Sequence, residues 1–408
     1  DLRDRSGIIQ VVFDLSEIGE EGFAKAESIR TEYVLAVRGV PRKRDADRVN
    51  PRLKTGAIEV LAKELRILSE AETPPFRIDE AASVNDATRL KYRYLELRTP
   101  RLQEILTLRS KVCHSARNYM DENGFLEIET PFLCRSTPEG ARDYLVPSRV
   151  HKGEFYALPQ SPQLYKQALV AVYERGFEIG PVFRAEHHDT SRHLNEYISM
   201  DFEMGFIDGF EDVMNMETGV LKYIMNLLKT EYKNEIDILH ADIPEIGEIP
   251  VIKFMDAKEL LMKKFKYKPS DMKDFDPEEE QLLGKYAKKQ FGSDFIFVTH
   301  YPSKKRPFYA MDDPEDPRYT LSFDLLFRGM EVTTGGQRIH DYQTQVDKMR
   351  ARGMDPEEFT SYLMIHKHGM PPHGGLGIGL ERLTMQLCGL DNVRRASLFP
   401  RDRTRLEP

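Results

Sequence analysis

Cysteine is scarce in this sequence, long apolar runs are missing, and positive charge is not in excess. Each shortage removes a class of protein. Cys113, Cys134 and Cys388 are the three cysteines, and they stand far apart. Such spacing builds neither a zinc cluster nor a disulfide framework, so they read as reduced thiols. No stretch approaches the roughly 18 apolar residues that a membrane span needs. The opening Asp1-Leu2-Arg3-Asp4-Arg5 is too charged for a secretory leader. The expectation is a cytoplasmic protein with no membrane partner. A formal net charge of −8 argues against indiscriminate coating of nucleic acid, because neutralising phosphates takes a broad basic surface. Any RNA would have to be met locally.

What is present is globular: 40% of residues are hydrophobic and 31% charged, and a chain of this length has room for two or three domains. The stretch from Arg38 to Lys54 gathers seven basic residues against Asp45 and Asp47, which suits either a local RNA contact or a solvated loop. Residues 7–15 alternate as a half-buried strand, with further strands around Tyr33–Val37 and Ile58–Leu68 and a helix over Ser16–Thr31. Short strands around one helix suit a small five-stranded barrel of the oligonucleotide-binding type. The chain opens on what reads as an interior strand of that barrel, so a truncated start is expected. We place the partial barrel at 1–73, closed by Thr73-Pro74-Pro75, a linker at 74–97, and a second domain at 98–408.

The second domain begins with Thr99 as N-cap and Pro100 at the first helical position. Leu102, Ile105, Leu108, Val112, Ala116 and Tyr119 then recur at helical spacing up to Asn123-Gly124. A second helix is expected near Asp212–Tyr232. The Lys/Glu-rich residues 233–292 offer no recognisable chemistry.

Four segments carry chemistry. In FRAEHHDTSRHLNEYISMDFEM (183–204) a strand ends at Phe183–Glu186, a polar loop follows, and Tyr197 to Met204 returns as a strand. There Arg184 can fork onto a phosphate while Glu186, two residues on, faces the same way. A surface hairpin with a salt bridge is the plain alternative. In GGLGIGLERLTM (374–385) a glycine-rich loop precedes Glu381-Arg382 and a helix, allowing close approach of backbone to a ligand; a structural turn would look the same. ETPFL (129–133) reads as an edge strand interrupted by Pro131. In QSPQLYKQ (160–167), Gln163 and Lys166 offer an amide and a compact cation three residues apart, though a lysine alone is most often a solvated surface residue.

Taken in order, helix plus ETP, FRAE with a loop arginine, and GIGLER resemble the three signature motifs of class II aminoacyl-tRNA synthetases. QSPQLYKQ and GGQRIHDY make the sequence similar to the aspartate branch of the subgroup that also holds the asparagine and lysine enzymes. The resemblance extends over essentially the whole chain. It implies an α+β protein: an oligonucleotide-binding barrel followed by a catalytic domain built on an antiparallel sheet flanked by helices. Only about 117 residues separate Met204 from Ser322, so the large insertion of the common bacterial enzyme is absent and the compact archaeal or eukaryotic form is expected.

The resemblance also implies the site. ATP would meet Arg184, Glu186, Arg192, His193, Leu194, Tyr197, Glu331, Gly379 and Arg382, with the adenine between Tyr197 and Arg382. Arg184, Arg382 and His193 would serve catalysis by positioning and charge neutralisation. L-aspartate would meet Glu139, Ser161, Gln163, Lys166, Asp201, Thr334 and Arg338. Lys166 and Arg338 would hold its side-chain carboxylate, and Glu139 and Asp201 its ammonium. Asp324, Glu331 and Thr334 would hold Mg2+. Gln10 matches a position that contacts an anticodon base. The implied partners are tRNA(Asp), with tRNA(Asn) left open, and a second copy of the chain paired through the helix and ETP strand. The implied activity is that of an aspartate–tRNA ligase. The alternatives are an asparagine-specific relative, a paralogue that makes asparagine, and a regulatory relative that has lost the chemistry. Tyr197 and Thr334 stand where many relatives carry phenylalanine and serine; both keep the needed ring or hydroxyl.

Overall fold

The computed structural model describes residues 1–187 and 189–407, which fall into two compact units, Asp1–Arg89 and Leu90–Pro408. The division lies inside the stretch read as a linker, and that stretch is largely helical.

In the first unit β1 (Leu2–Asp4) pairs antiparallel with β2 (Gly7–Ile9), while β3 (Val11–Val12) runs parallel to β5 (Ile58–Ser69), which pairs antiparallel with β4 (Val34–Lys43). The single strand expected over 7–15 is thus broken at Gln10, whose carbonyl accepts from the Val60 amide at 2.9 Å. Its two halves belong to different sheets. The strand also stops early, because Asp14 caps helix α1 (Leu15–Glu27) by accepting from the Ser16 amide. Part of the basic stretch is not loop: Arg38, Arg42 and Lys43 lie on β4, and Arg42 and Arg44 both pair with Glu59.

Helices α2 (Asp86–Lys91) and α3 (Arg93–Glu96) lead into α4 (Pro100–Glu122). Its stripe of Leu102, Ile105, Leu108, Val112 and Ala116 is buried as the helical spacing predicts, while at its end Met120 is buried and the expected Tyr119 only partly so. After the short strands β6 (Leu126–Glu127), β7 (Leu145–Pro147) and β8 (Phe155–Ala157) come α5 (Gln163–Tyr173), β9 (Arg175–Phe183), β10 (Glu196–Gly205), α6 (Phe210–Glu231) and α7 (Lys233–Leu239). Residues 250–292 are ordered as β11 (Val251–Lys253), α8 (Phe254–Lys264) and α9 (Pro277–Phe291). The chain continues through β12 (Phe295–Thr299), β13 (Ser322–Phe327), β14 (Met330–Arg338), α10 (Tyr342–Ala351), α11 (Thr360–Lys367), β15 (His373–Gly379) and α12 (Leu380–Leu387).

Among the described residues the main sheet has eight strands in the order β11-β12-β13-β14-β15-β10-β9-β6. It is antiparallel except at its two edges, where β11 lies parallel to β12 and β6 to β9. Alternation sorts its two faces. Met200, Phe202, Met204, Leu376, Ile378, Phe323 and Leu325 point into one core with α4, α6 and α12, each such side chain contributing about 1.5–3 kcal/mol by leaving water. Register puts Ser199, Asp201 and Glu203 opposite Gly379, Gly377 and Gly375 on the other face. Over one end of that face α8 and α9 pack on Ile296, Val298 and Leu326. Over the other, α5 buries Lys166 and Val170. The gap between is the cavity. Among the described residues no helix is long and apolar enough to cross a membrane.

Candidate active site

The stretch 374–379, read from sequence as a glycine-rich loop, is strand β15 in the centre of the sheet. Its alternation explains both facts: Leu376 and Ile378 enter the core, and the glycines between them face the site. A Cβ on Gly377 would lie 2.9 Å from Asp201 Oδ1 and 3.2 Å from Ser199 Oγ. The missing side chains therefore leave the floor to the polar groups of β10, and a cavity of about 490 Å³ opens above it.

At one end of the floor is a buried charge network. Lys166, 2% exposed, donates to Asp201 Oδ1 at 2.9 Å and to the carbonyls of Leu376 and Phe202, and lies 3.3 Å from Glu203 Oε2. Arg338 donates through Nε to Glu203 Oε1 at 2.9 Å and through Nη2 to Gln163 Oε1 and the Gly375 carbonyl. Gln163 in turn donates to Glu203. Burial pushes Glu203 up, but the Arg338 guanidinium and then the Lys166 ammonium outweigh it and hold the carboxyl below the ordinary glutamate range. The two cations thus converge on one carboxylate. Arg338, Gln163 and Asp201 line the cavity, while Lys166 lies beneath its floor, enclosed by these partners. Asp201 Oδ2 is buried with no hydrogen-bond partner. Above it Glu139 accepts from Ser161 and Thr137 at 2.6 and 2.7 Å, and loss of water raises its carboxyl pKa.

The other end is made by hairpins. Arg184 continues β9, and its guanidinium lies 5.6 Å from the centre of the Tyr197 ring on β10. Burial raises the Tyr197 hydroxyl, with Arg184 and Arg382 opposing. His193 meets the Thr190 hydroxyl at 2.6 Å. Leu194 is buried with the core beneath while also touching the cavity. Strands β13 and β14 are joined by Arg328-Gly329, both at positive φ (49° and 76°), the tight two-residue hairpin that matches strand twist. This turn folds Asp324 and Glu331 onto one face, with the Thr334 hydroxyl donating to Glu331 at 3.1 Å. Arg382, at the start of α12, donates to the Glu331 and Arg192 carbonyls. Glu381 beside it accepts from Arg109 and from the Ile198 amide.

The acidic pair fits a hard cation. Asp324 Oδ1 is 2.8 Å from Arg306 Nη2, yet neither atom completes a hydrogen bond. Burial raises Asp324 to about 6, with Arg306 opposing and the charge of Glu331 adding to the rise. A divalent ion would relieve both the orphaned oxygen and the repulsion, and two carboxylates with a hydroxyl and water are oxygen donors that Mg2+ accepts.

Two groups on the cavity wall, Arg306 and Tyr309, and one behind it, Glu280, were not foreseen. Arg306 lies 3.9 Å from the Tyr301 ring centre, and Tyr309 stacks under Arg338. Glu280 comes from 233–292, the region without recognisable chemistry, and binds Arg192 at 2.7 Å. The motif DPEEE (276–280) marks a helix start, since Asp276 and Glu279 form a capping box, but nothing local says where Glu280 points. Gln10 lies in the first unit, between β2 and β3.

With this geometry in view, comparison with known proteins is direct. Residues 1–68 match the OB-fold nucleic acid binding domain family, and residues 85–403 match the family described as tRNA synthetases class II (D, K and N). The chain is 41% identical over 412 residues to the aspartate--tRNA(Asp/Asn) ligase of Aeropyrum pernix, covering 100% of this chain and 91% of that one. It is 44% identical to the ligase of the same name from Thermus thermophilus, covering 100% and 92%. Among solved structures it resembles the asparaginyl-tRNA synthetase of Pyrococcus horikoshii complexed with asparaginyl-adenylate (TM-score 0.89, 30% identity, 100% and 91% covered). It also resembles the aspartyl tRNA synthetase of Entamoeba histolytica (TM-score 0.85, 28% identity, 98% and 84% covered). A central sheet carrying FRAE and GIGLER on its open face, matched over this length, places the chain in the class II tRNA synthetases of the aspartate, lysine and asparagine group.

Proposed function

We propose that this chain activates L-aspartate with ATP and transfers it to the 3′ end of tRNA(Asp). The observation that carries the choice of amino acid is Arg338, fixed at the cavity floor by Glu203, Gln163 and the Gly375 carbonyl through Nε and Nη2. Nη1 carries the remaining two of its five donors, suited to a short carboxylate, with Lys166 adding positive charge from below. An asparagine amide would place two donors of its own against these cations, a mismatch costly in a desolvated pocket. Glu139 and Asp201 Oδ2 suit the ammonium group, with Ser161 alongside.

ATP would lie with its adenine between Tyr197 and Arg382, its amino group toward Glu186 and its backbone contact at Gly379. Arg184 would take the α-phosphate, and Arg192 and His193 the far phosphates. Asp324, Glu331 and Thr334 would hold Mg2+, which would supply neutralisation of phosphate charge. The aspartate α-carboxylate oxygen attacks the α-phosphorus, the bond to the bridging oxygen breaks, and pyrophosphate departs. The ribose hydroxyl of tRNA then attacks the adenylate carbonyl and AMP leaves. No protein nucleophile is needed: alignment and fixed charge lower the barrier. In this reading Gln10 and the basic face of the first unit meet the anticodon, a second copy pairs at α4 and the ETP segment, and the work is cytoplasmic.

The test is amino-acid-dependent exchange of labelled pyrophosphate into ATP. Exchange with aspartate and none with asparagine is expected. The likeness to asparagine enzymes makes the reverse the informative refutation, and charging of tRNA(Asp) and tRNA(Asn) transcripts decides the range of tRNA.

A further inference from the structure

Three successive glutamates open α9, and the last two turn in different directions. Glu279 is fully buried, binds the equally buried Lys258 through both oxygens at 2.7 Å, and closes the capping box on Asp276. Lys258 also donates to the carbonyls of Asp271 and Asp274, so the start of α9 and the loop before it are nailed to α8. That anchoring decides where the next residue goes. Glu280, 7% exposed, sits behind the cavity wall, where one oxygen, Oε2, accepts from Nη2 of the cavity-lining Arg192 at 2.7 Å and from the backbone amide of the cavity-lining Glu331 at 3.0 Å. A single atom thus joins the loop between β9 and β10 to the strand that carries the acidic pair.

From this we infer that Glu280 is a positioning residue for the nucleotide: it holds Arg192 and the β14 backbone in register at the triphosphate end of the site. The inference rests on the reading of the cavity as an ATP site. Arg192 stands on a polar loop and, among the described residues, forms its side-chain ion pair with Glu280 alone; its Nε is buried without a partner there. A long, rotamer-rich side chain held by one carboxylate loses less freedom when a phosphate arrives, and such preorganisation is felt as affinity. The packing of α8 and α9 on Ile296, Val298 and Leu326 of the sheet thus brings one carboxylate to two residues that line the cavity.

The experiment compares Glu280→Ala and Glu280→Gln with the unsubstituted protein in pyrophosphate exchange, and measures ATP binding with Mg2+ by calorimetry. Glu280→Ala is expected to raise KM and Kd for ATP about ten- to hundredfold, the range for leaving charged and backbone donors unpaired. KM for aspartate should stay within about twofold. Glu280→Gln, whose amide oxygen still accepts both bonds, should fall between. In an Arg192→Ala background, Glu280→Ala should add less than it does alone, because the bond to Arg192 is already gone and the Glu331 amide contact is what remains to lose. Full additivity, or a glutamine variant no better than alanine, overturns the inference. So does a fall in melting temperature with the ATP and aspartate constants rising together, which marks a merely structural role. If the unsubstituted protein exchanges with no amino acid, the functional reading fails, while the ATP-binding arm still decides the fate of Glu280.

Discussion

Glu217 carries a carboxyl group from α6 into the apolar layer beneath the sheet, where it is fully buried. Burial raises it to about 8, the Thr333 hydroxyl opposing and the Asp324 charge adding to the rise. It is therefore a neutral acid near pH 7. The folded protein keeps this proton while the unfolded chain gives it up above about 4.5, so the group costs stability increasingly from about pH 4.5 to 8, at about 1.4 kcal/mol per pH unit at most. Glu217→Gln should consequently melt higher than the unsubstituted protein at pH 8, with little difference at pH 5. Melting curves at the two pH values check this, and a gap that does not widen with pH refutes it. At the same scale, the chemistry of Arg184, Glu186 and Arg382 was readable because each sits inside a short motif. Lys166 was readable as a cation, but not its enclosure: its partners Asp201 and Leu376 lie 35 and 210 residues away.

At the scale of elements, β15 shows how composition misleads. Glycine's liking for turns argued for a loop over 374–379, while the period-two placing of Leu376 and Ile378 argued for a strand. The sheet decided, because only a strand lets the apolar pair face α6 and α12 and leaves the polar face bare. Gly377→Ala should then push Asp201 aside, since the added Cβ cannot stay 2.9 Å from its carboxylate. The overpacking should cost about 1–3 kcal/mol and raise KM for the amino acid more than KM for ATP. Unchanged exchange kinetics and melting temperature would contradict it. The strand over 7–15 failed for a related reason. Its alternation was real, but pairing partners on two different sheets and the Asp14 cap cut it into pieces that no window of sequence reveals.

At the scale of the molecule, Leu126, Phe132 and Leu133 remain 46, 47 and 56% exposed. That much apolar surface beside α4 and the sheet edge suits burial against a second copy. Phe132→Glu should convert a dimer into a monomer in sedimentation or light scattering, and an unsubstituted protein that is monomeric at micromolar concentration would remove the proposed pairing. The α4 and α6 helices, the FRAE hairpin and the family were set by the sequence alone, because caps, periodicity and motifs are local and each is written within about twenty residues. The tertiary structure alone decided which carboxylates meet which cations. Arg192 and Glu280 are 88 residues apart, and a contact of that span is chosen by how helices and sheet pack, leaving no periodic trace in the chain.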